Sequence, residues 1–97
     1  MTREDVLEAL REVIDPELGI NVVDLGLVYG VEVHDAHVRV TMTMTSPACP
    51  LNAYLTSAAE ALIWERVPGV QTVHVGMVWD PPWHPDMMSE VARQQLG

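Results

Sequence analysis

One sulfur carries the sharpest chemistry in this sequence. Cys49 is the only cysteine among 97 residues, within Thr45-Ser46-Pro47-Ala48-Cys49-Pro50-Leu51. A strand-like alternating run stops before it and a helix-like run begins after it. Pro50 suits a first helical turn, where its missing N–H would have found no partner anyway. Cys49 is therefore expected at or beside a helix N-cap. Free backbone N–H groups and the positive end of the helix dipole face that spot. A thiolate is stabilised there, so the thiol should ionise more readily than a free cysteine. The alternative is a buried thiol packed as a small hydrophobe.

Carboxylates and imidazoles are the other candidates. Asp15, Glu17 and Asp24 lie in Asp15–Gly26, a connection with two glycines and a proline that mark turns. Capping and turn hydrogen bonds are the ordinary use of acids in such places. Facing a cation held at the sulfur is the other use. His84 follows Trp83 in Asp80-Pro81-Pro82-Trp83-His84-Pro85, a stiff loop. His84 or His74 could serve a Cys49 nucleophile as base. His84 could equally pack on Trp83 and cap the last helix. His34 and His37 flank an exposed turn and read as solvated, with a metal-binding pair as the alternative.

These residues need elements to position them. Thr2 and Asp5 resemble a capping pair. Val6, Leu7, Leu10, Val13 and Ile14 recur at helical spacing after it, so a helix of about three turns is expected. It should end at Asp15, because Pro16 pushes its predecessor out of the α region. Two alternating runs follow, Tyr29–His34 and His37–Thr45. A two-residue turn at Asp35-Ala36 sets His34 opposite His37, Val33 opposite Val38 and Glu32 opposite Arg39. Continued, it sets Val31 opposite Val40 and Tyr29 opposite Met42. A slip of one residue would mix apolar and charged partners, so the pattern selects this register.

The second helix is expected from about Pro50 to Glu65, with Leu51, Leu55, Ala58, Ala59, Leu62 and Ile63 as its apolar stripe. Pro68-Gly69 stops it, and Val70–Trp79 reads as a strand. Strand, helix, strand in this order favours a parallel crossover. The Cys49 and Trp83-His84 loops then leave the same sheet edge, where such sheets hold ligands. Asp86 is read as the cap of a last helix carrying Met87, Met88, Val91 and Leu96. The expected fold class is α/β (α+β). It is one two-layer domain over residues 1–97, in the order α-β-β-α-β-α. Its small mixed sheet combines an antiparallel hairpin with a parallel crossover.

Composition narrows the function. The net charge is −9, with no lysine and five scattered arginines. A surface of this kind argues against nucleic acid and anionic membrane as partners. No apolar run approaches the roughly 20 residues that span a bilayer, and the charged N-terminus does not read as a signal peptide. A lone thiol implies no internal disulfide and a reducing, cytoplasmic setting.

Four stretches occur in an order seen in a known family. They are Asp15-Pro16-Glu17, Val23-Asp24-Leu25-Gly26-Leu27-Val28-Tyr29, Thr45-Ser46-Pro47-Ala48-Cys49-Pro50 and Trp79-Asp80-Pro81-Pro82-Trp83. The chain resembles, along essentially its whole length, the small iron–sulfur assembly-domain proteins. That family includes SufT, the phenylacetate-degradation protein PaaD and a subunit of the eukaryotic cytosolic iron–sulfur targeting complex. PaaD-like members carry a further cysteine-rich segment, and without one this sequence resembles the minimal members. The resemblance implies a maturation or delivery factor for iron–sulfur clusters with Cys49 central. It also implies Asp15, Glu17, Asp24 and Thr45 as motif residues, and iron–sulfur client or assembly proteins as partners.

A cluster takes about four protein ligands, mostly thiolates. The iron–sulfur cluster would therefore be held transiently, with Cys49 shared between protomers of a homodimer or with a client. Two other functions stay open. One is a thiol enzyme with Cys49 as nucleophile. The other is a metal-free docking adaptor, which the acidic surface and Trp83 would suit.

Overall fold

The computed structural model describes residues 1–45 and 52–96. The expected N-cap position of Cys49, the start of a helix at Pro50 and the place of Leu51 in its stripe lie outside the described residues.

Helix α1 runs Arg3–Leu10 and starts as the sequence implies. The Thr2 hydroxyl accepts from the Asp5 N–H at 3.1 Å, and the Asp5 carboxylate accepts from the Thr2 N–H at 2.9 Å. The helix buries Val6, Ala9 and Leu10. It ends one turn earlier than expected. Glu12 and Val13 donate three residues back, to Ala9 and Leu10, and this tighter winding closes the helix. The chain then forms a two-residue strand, β1 (Ile14–Asp15), antiparallel to β2 (Ile20–Asn21). Ile14, expected on the buried stripe, is therefore 45% exposed, because it lies outside the helix. The connection read as irregular is thus a small two-stranded clasp.

Strands β3 (Val28–His34) and β4 (His37–Met42) form the hairpin, with Asp35 in the turn at φ 55°. Aspartate tolerates that left-handed conformation better than most residues. The register matches expectation from His34/His37 through Val31/Val40. It then departs. Gly30 pairs with Thr41 but Val28, not Tyr29, pairs with Met42. Tyr29 is the extra residue of a β-bulge, which bends a strand and redirects its side chains. Periodicity cannot reveal a bulge, because the residues on either side still alternate.

Helix α2 (Asn52–Arg66) crosses from β4 to β5 (Thr72–Met77), which pairs parallel to β4 in the sheet order β3-β4-β5. The alternation gives two faces. Val33, Val38 and Val73 make one inner row, and Val31, Val40 and Val75 the next. Helices α1 and α2 pack over this side, with Leu55, Ala59 and Ile63 of α2 buried. The outer face carries the rows His34, His37, Thr72 and Glu32, Arg39, His74. The result is the two-layer mixed domain that the patterns imply.

The C-terminal segment differs in detail. A 3-10 turn at Pro85–Met87 is capped by His84, whose Nδ1 accepts from the Asp86 N–H at 3.1 Å. Helix α3 (Glu90–Leu96) follows, and the Ser89 hydroxyl accepts from the Ala92 N–H at 3.2 Å. Ser89, not Asp86, therefore caps the last helix. Among the described side chains of α3, Ala92 is buried, while Val91 is 57% exposed.

Candidate functional site

Three segments meet at the carboxyl edge of β4. The first is the turn over residues 22–27, with Val22, Leu25 and Leu27 buried. The second is the chain leaving β4 toward residue 45. The Thr43 N–H donates to the Leu27 carbonyl at 2.8 Å, tying this lead-in to the turn. The third is the chain leaving β5. The Val78 N–H donates to the Met42 carbonyl at 2.8 Å, so the lead to the Trp83 loop runs alongside.

The third segment folds back onto the first. The Trp83 indole N–H donates to the Leu25 carbonyl at 2.7 Å, and the half-buried ring packs on the core. The Ser89 N–H donates to the Asp24 carbonyl at 2.7 Å. The bulged Tyr29 donates its hydroxyl to the Pro81 carbonyl at 2.8 Å and lies 3.4 Å from the Met87 sulfur. Gly26, at φ 79°, makes the approach possible, because a Cβ there would overlap the Met87 carbonyl.

The acids divide into two kinds. Asp15 is buried at 3% exposure, and one carboxylate oxygen accepts from the Glu17 and Leu18 N–H groups at 2.8 and 3.3 Å. It closes its own turn, which is the ordinary use of aspartate there. Glu17 is exposed. Asp24 is half-buried. Its carboxylate accepts from the Asn21 side-chain amide at 2.7 Å, and its N–H donates to the Asn21 side-chain oxygen at 2.9 Å. Asp15 and Asp24 thus hold opposite ends of the β1-β2 clasp, and Asp24 reaches the Trp83 segment. Thr45 is half-buried and is the last described residue before the Cys49 segment.

His84 belongs to the cap of the 3-10 turn, with Nδ1 also 3.4 Å from an Asp86 carboxylate oxygen. His74 lies on the outer sheet face beside Arg39. The Arg11 guanidinium is held protonated more firmly than usual. The cause is first its hydrogen bond with Glu4, while burial opposes; the charges of Glu8, Glu4 and Asp24 also favour the charged form. Among the described residues no three His, Cys, Asp or Glu side chains converge as a preformed metal cage.

Sequence reasoning missed four residues of this edge. Tyr29 was hidden by the bulge, and Asn21 and Gly26 by contacts that form only on folding. Ser89 had a readable signal, since it directly precedes an acidic first helical turn. Thr43 is fully buried, and its hydroxyl has no hydrogen-bond partner among the described residues.

Comparison with known proteins fits this geometry. The iron–sulfur cluster assembly protein family matches residues 3–75. An Fe-S protein maturation auxiliary factor of Porphyromonas gingivalis is 44% identical over 99% of this chain and 91% of its own length. The Fe-S protein maturation auxiliary factor SufT of Staphylococcus aureus is 48% identical over 88% of this chain and 97% of its own. The crystal structure of a domain of unknown function from Bacillus anthracis superposes with a TM-score of 0.95 at 40% identity. It covers 98% of this chain and 91% of that one.

Proposed function

Because this chain belongs to the iron–sulfur cluster assembly protein family, we propose that it matures or delivers iron–sulfur clusters through Cys49, without catalysing a reaction of its own. The cluster is its cargo, held transiently and passed to client or assembly proteins in the cytoplasm. One observation carries the reading. The lead into the Cys49 motif, the Asp24 turn and the Trp83 segment are stitched together at one sheet edge by the Thr43–Leu27, Val78–Met42 and Trp83–Leu25 bonds.

In this reading Cys49 is a reactive thiolate that supplies one cluster ligand. A client or a second copy of the chain supplies the others, since a cluster takes about four ligands. Thr45 leads the chain toward the thiol. Asp24 and Trp83 hold the neighbouring wall. Asp15 shapes the turn that carries Glu17, and His84 caps the turn that follows Trp83. A thiol enzyme finds less support, because the His84 nitrogen nearest the backbone is already engaged as a cap.

Cluster transfer to an apo-client under anaerobic conditions tests this. Cys49→Ala should abolish transfer while leaving the circular dichroism spectrum unchanged. Asp24→Asn should slow it, because the clasp with Asn21 loosens. Full client maturation by Cys49→Ala would remove the central role of the sulfur and leave a docking adaptor in its place.

A further inference from the structure

The two edges of the β3-β4-β5 sheet are built differently. A strand edge presents a row of unpaired N–H and C=O groups, and proteins blunt it with charge, proline or a bulge. The β3 edge has two of these devices, the bulge at Tyr29 and the charge of Glu32. The β5 edge has none of them. Thr72–Met77 holds no proline and no Asp, Glu, Lys or Arg, and it pairs with β4 without a bulge from His37/Thr72 to Met42/Met77. Among the described residues no strand pairs with β5 on its other side.

Alternation decides which backbone groups face that open side. The Thr72 N–H donates to the Ala36 carbonyl at 3.4 Å and the Val78 N–H to the Met42 carbonyl at 2.8 Å, so these even-numbered positions turn toward β4. The N–H and C=O groups of Val73, Val75 and Met77 therefore face away from it. Between this edge and α2 lies a groove of about 270 Å³, lined by Asn52, Ala53, Thr56, Val75 and Met77. The Thr56 hydroxyl is turned back on its own helix, donating to the Asn52 and Ala53 carbonyls at 3.0 and 3.1 Å. At roughly 3.6 residues per turn, Glu60 falls between Thr56 and Ala53 around the helix axis, and it is half-buried. The groove thus has an apolar floor, a carboxylate along its wall and a free main-chain rim.

We propose that the β5 edge and the α2 wall dock an extended segment of another protein, added to the sheet as a fourth strand. Main-chain bonds to Val73, Val75 and Met77 supply affinity, and alternate side chains of the segment enter the groove. The lining sets the chemistry of the occupant: small apolar side chains beside Ala53, Val75 and Met77, and a basic one facing Glu60. A second copy of this chain fits less well. Its own β5 edge has no basic residue to offer Glu60, and it brings a like net charge of −9. The groove is built without Cys49, so its failure would leave the cluster-delivery reading untouched.

The test is an amide NMR titration of the full chain under reducing conditions. The probe is a short capped peptide alternating valine and threonine, with lysine replacing the central valine. The Val73, Val75 and Met77 amide signals should shift, and their hydrogen exchange should slow more than that of His74 and Gly76. Methylating one alternate set of the peptide's amide nitrogens should abolish binding, and methylating the other set should not. Ala53→Lys, at an exposed helical position, should weaken binding by about tenfold or more, because it fills the groove and repels the lysine. Glu60→Gln should weaken it about two- to fivefold, as expected for a solvent-accessible ion pair. Tyr54→Ala, exposed on another side of α2, should leave it unchanged. Unshifted Val73, Val75 and Met77 amides would overturn the proposal, as would equal effects of the two methylated peptides or full binding by Ala53→Lys. A free protein that is dimeric, with those three amides already protected, would place a second copy on the edge and overturn it too.

Discussion

Thr43 shows how a single atom reports on its surroundings. Its side chain is fully buried at the end of β4, two residues before Thr45, and its hydroxyl is unpaired among the described residues. A buried hydroxyl without a partner costs about 1–3 kcal/mol relative to one that is bonded. Replacing it with a shape-matched apolar group removes that penalty. Thr43→Val is therefore expected to leave stability unchanged or raise it by about 1 kcal/mol. Urea denaturation checks this, and a fall in the midpoint would mean that the hydroxyl has a partner after all. Asp15 is the contrasting case, because both N–H groups that it accepts are within three residues of it. Such local turn bonds were legible from Asp15-Pro16-Glu17 alone. The Trp83–Leu25 bond, 58 residues apart, was not.

At the scale of elements, periodicity placed three strands and two long helices, and it set the hairpin register as far as Val31. It failed where structure does not repeat. The clasp β1-β2 is two residues a side, too short to show alternation. The Tyr29 bulge leaves alternation intact on both sides while shifting the pairing by one. In α3 the apolar Val91 stays exposed while the smaller Ala92 fits against the packed interior. The docking of the C-terminal segment makes a sharp prediction. Gly19 and Gly26 both have positive φ, but a Cβ at Gly19 meets open space. Gly19→Ala should thus cost only the left-handed penalty of about 1–2 kcal/mol. Gly26→Ala should cost more, since the backbone of Met87 must also move. Hydrogen exchange distinguishes them: protection of the Ser89 amide, bonded to Asp24, should be lost in Gly26→Ala and kept in Gly19→Ala.

For the whole molecule, charge and stoichiometry constrain function together. Arg11 is tied to Glu4 and Glu8, and Arg66 to Glu12, so two of the five arginines are paired within the chain. One thiol supplies one of the roughly four protein ligands, mostly thiolates, that an iron–sulfur cluster takes. Two like-charged copies would also repel through their net charge of −9 each, most strongly at low salt. Sharing a cluster between two copies must overcome that repulsion, whereas a less acidic client need not. Native mass spectrometry after anaerobic reconstitution should therefore find cluster mass on dimers or client complexes and bare protein as monomer. Raising the ionic strength before transfer to the spectrometer should increase the dimer share, because screening weakens the repulsion between copies. A monomer carrying a complete cluster would show that this chain finds its remaining ligands among its own residues, and the delivery reading with shared Cys49 ligation would have to be abandoned.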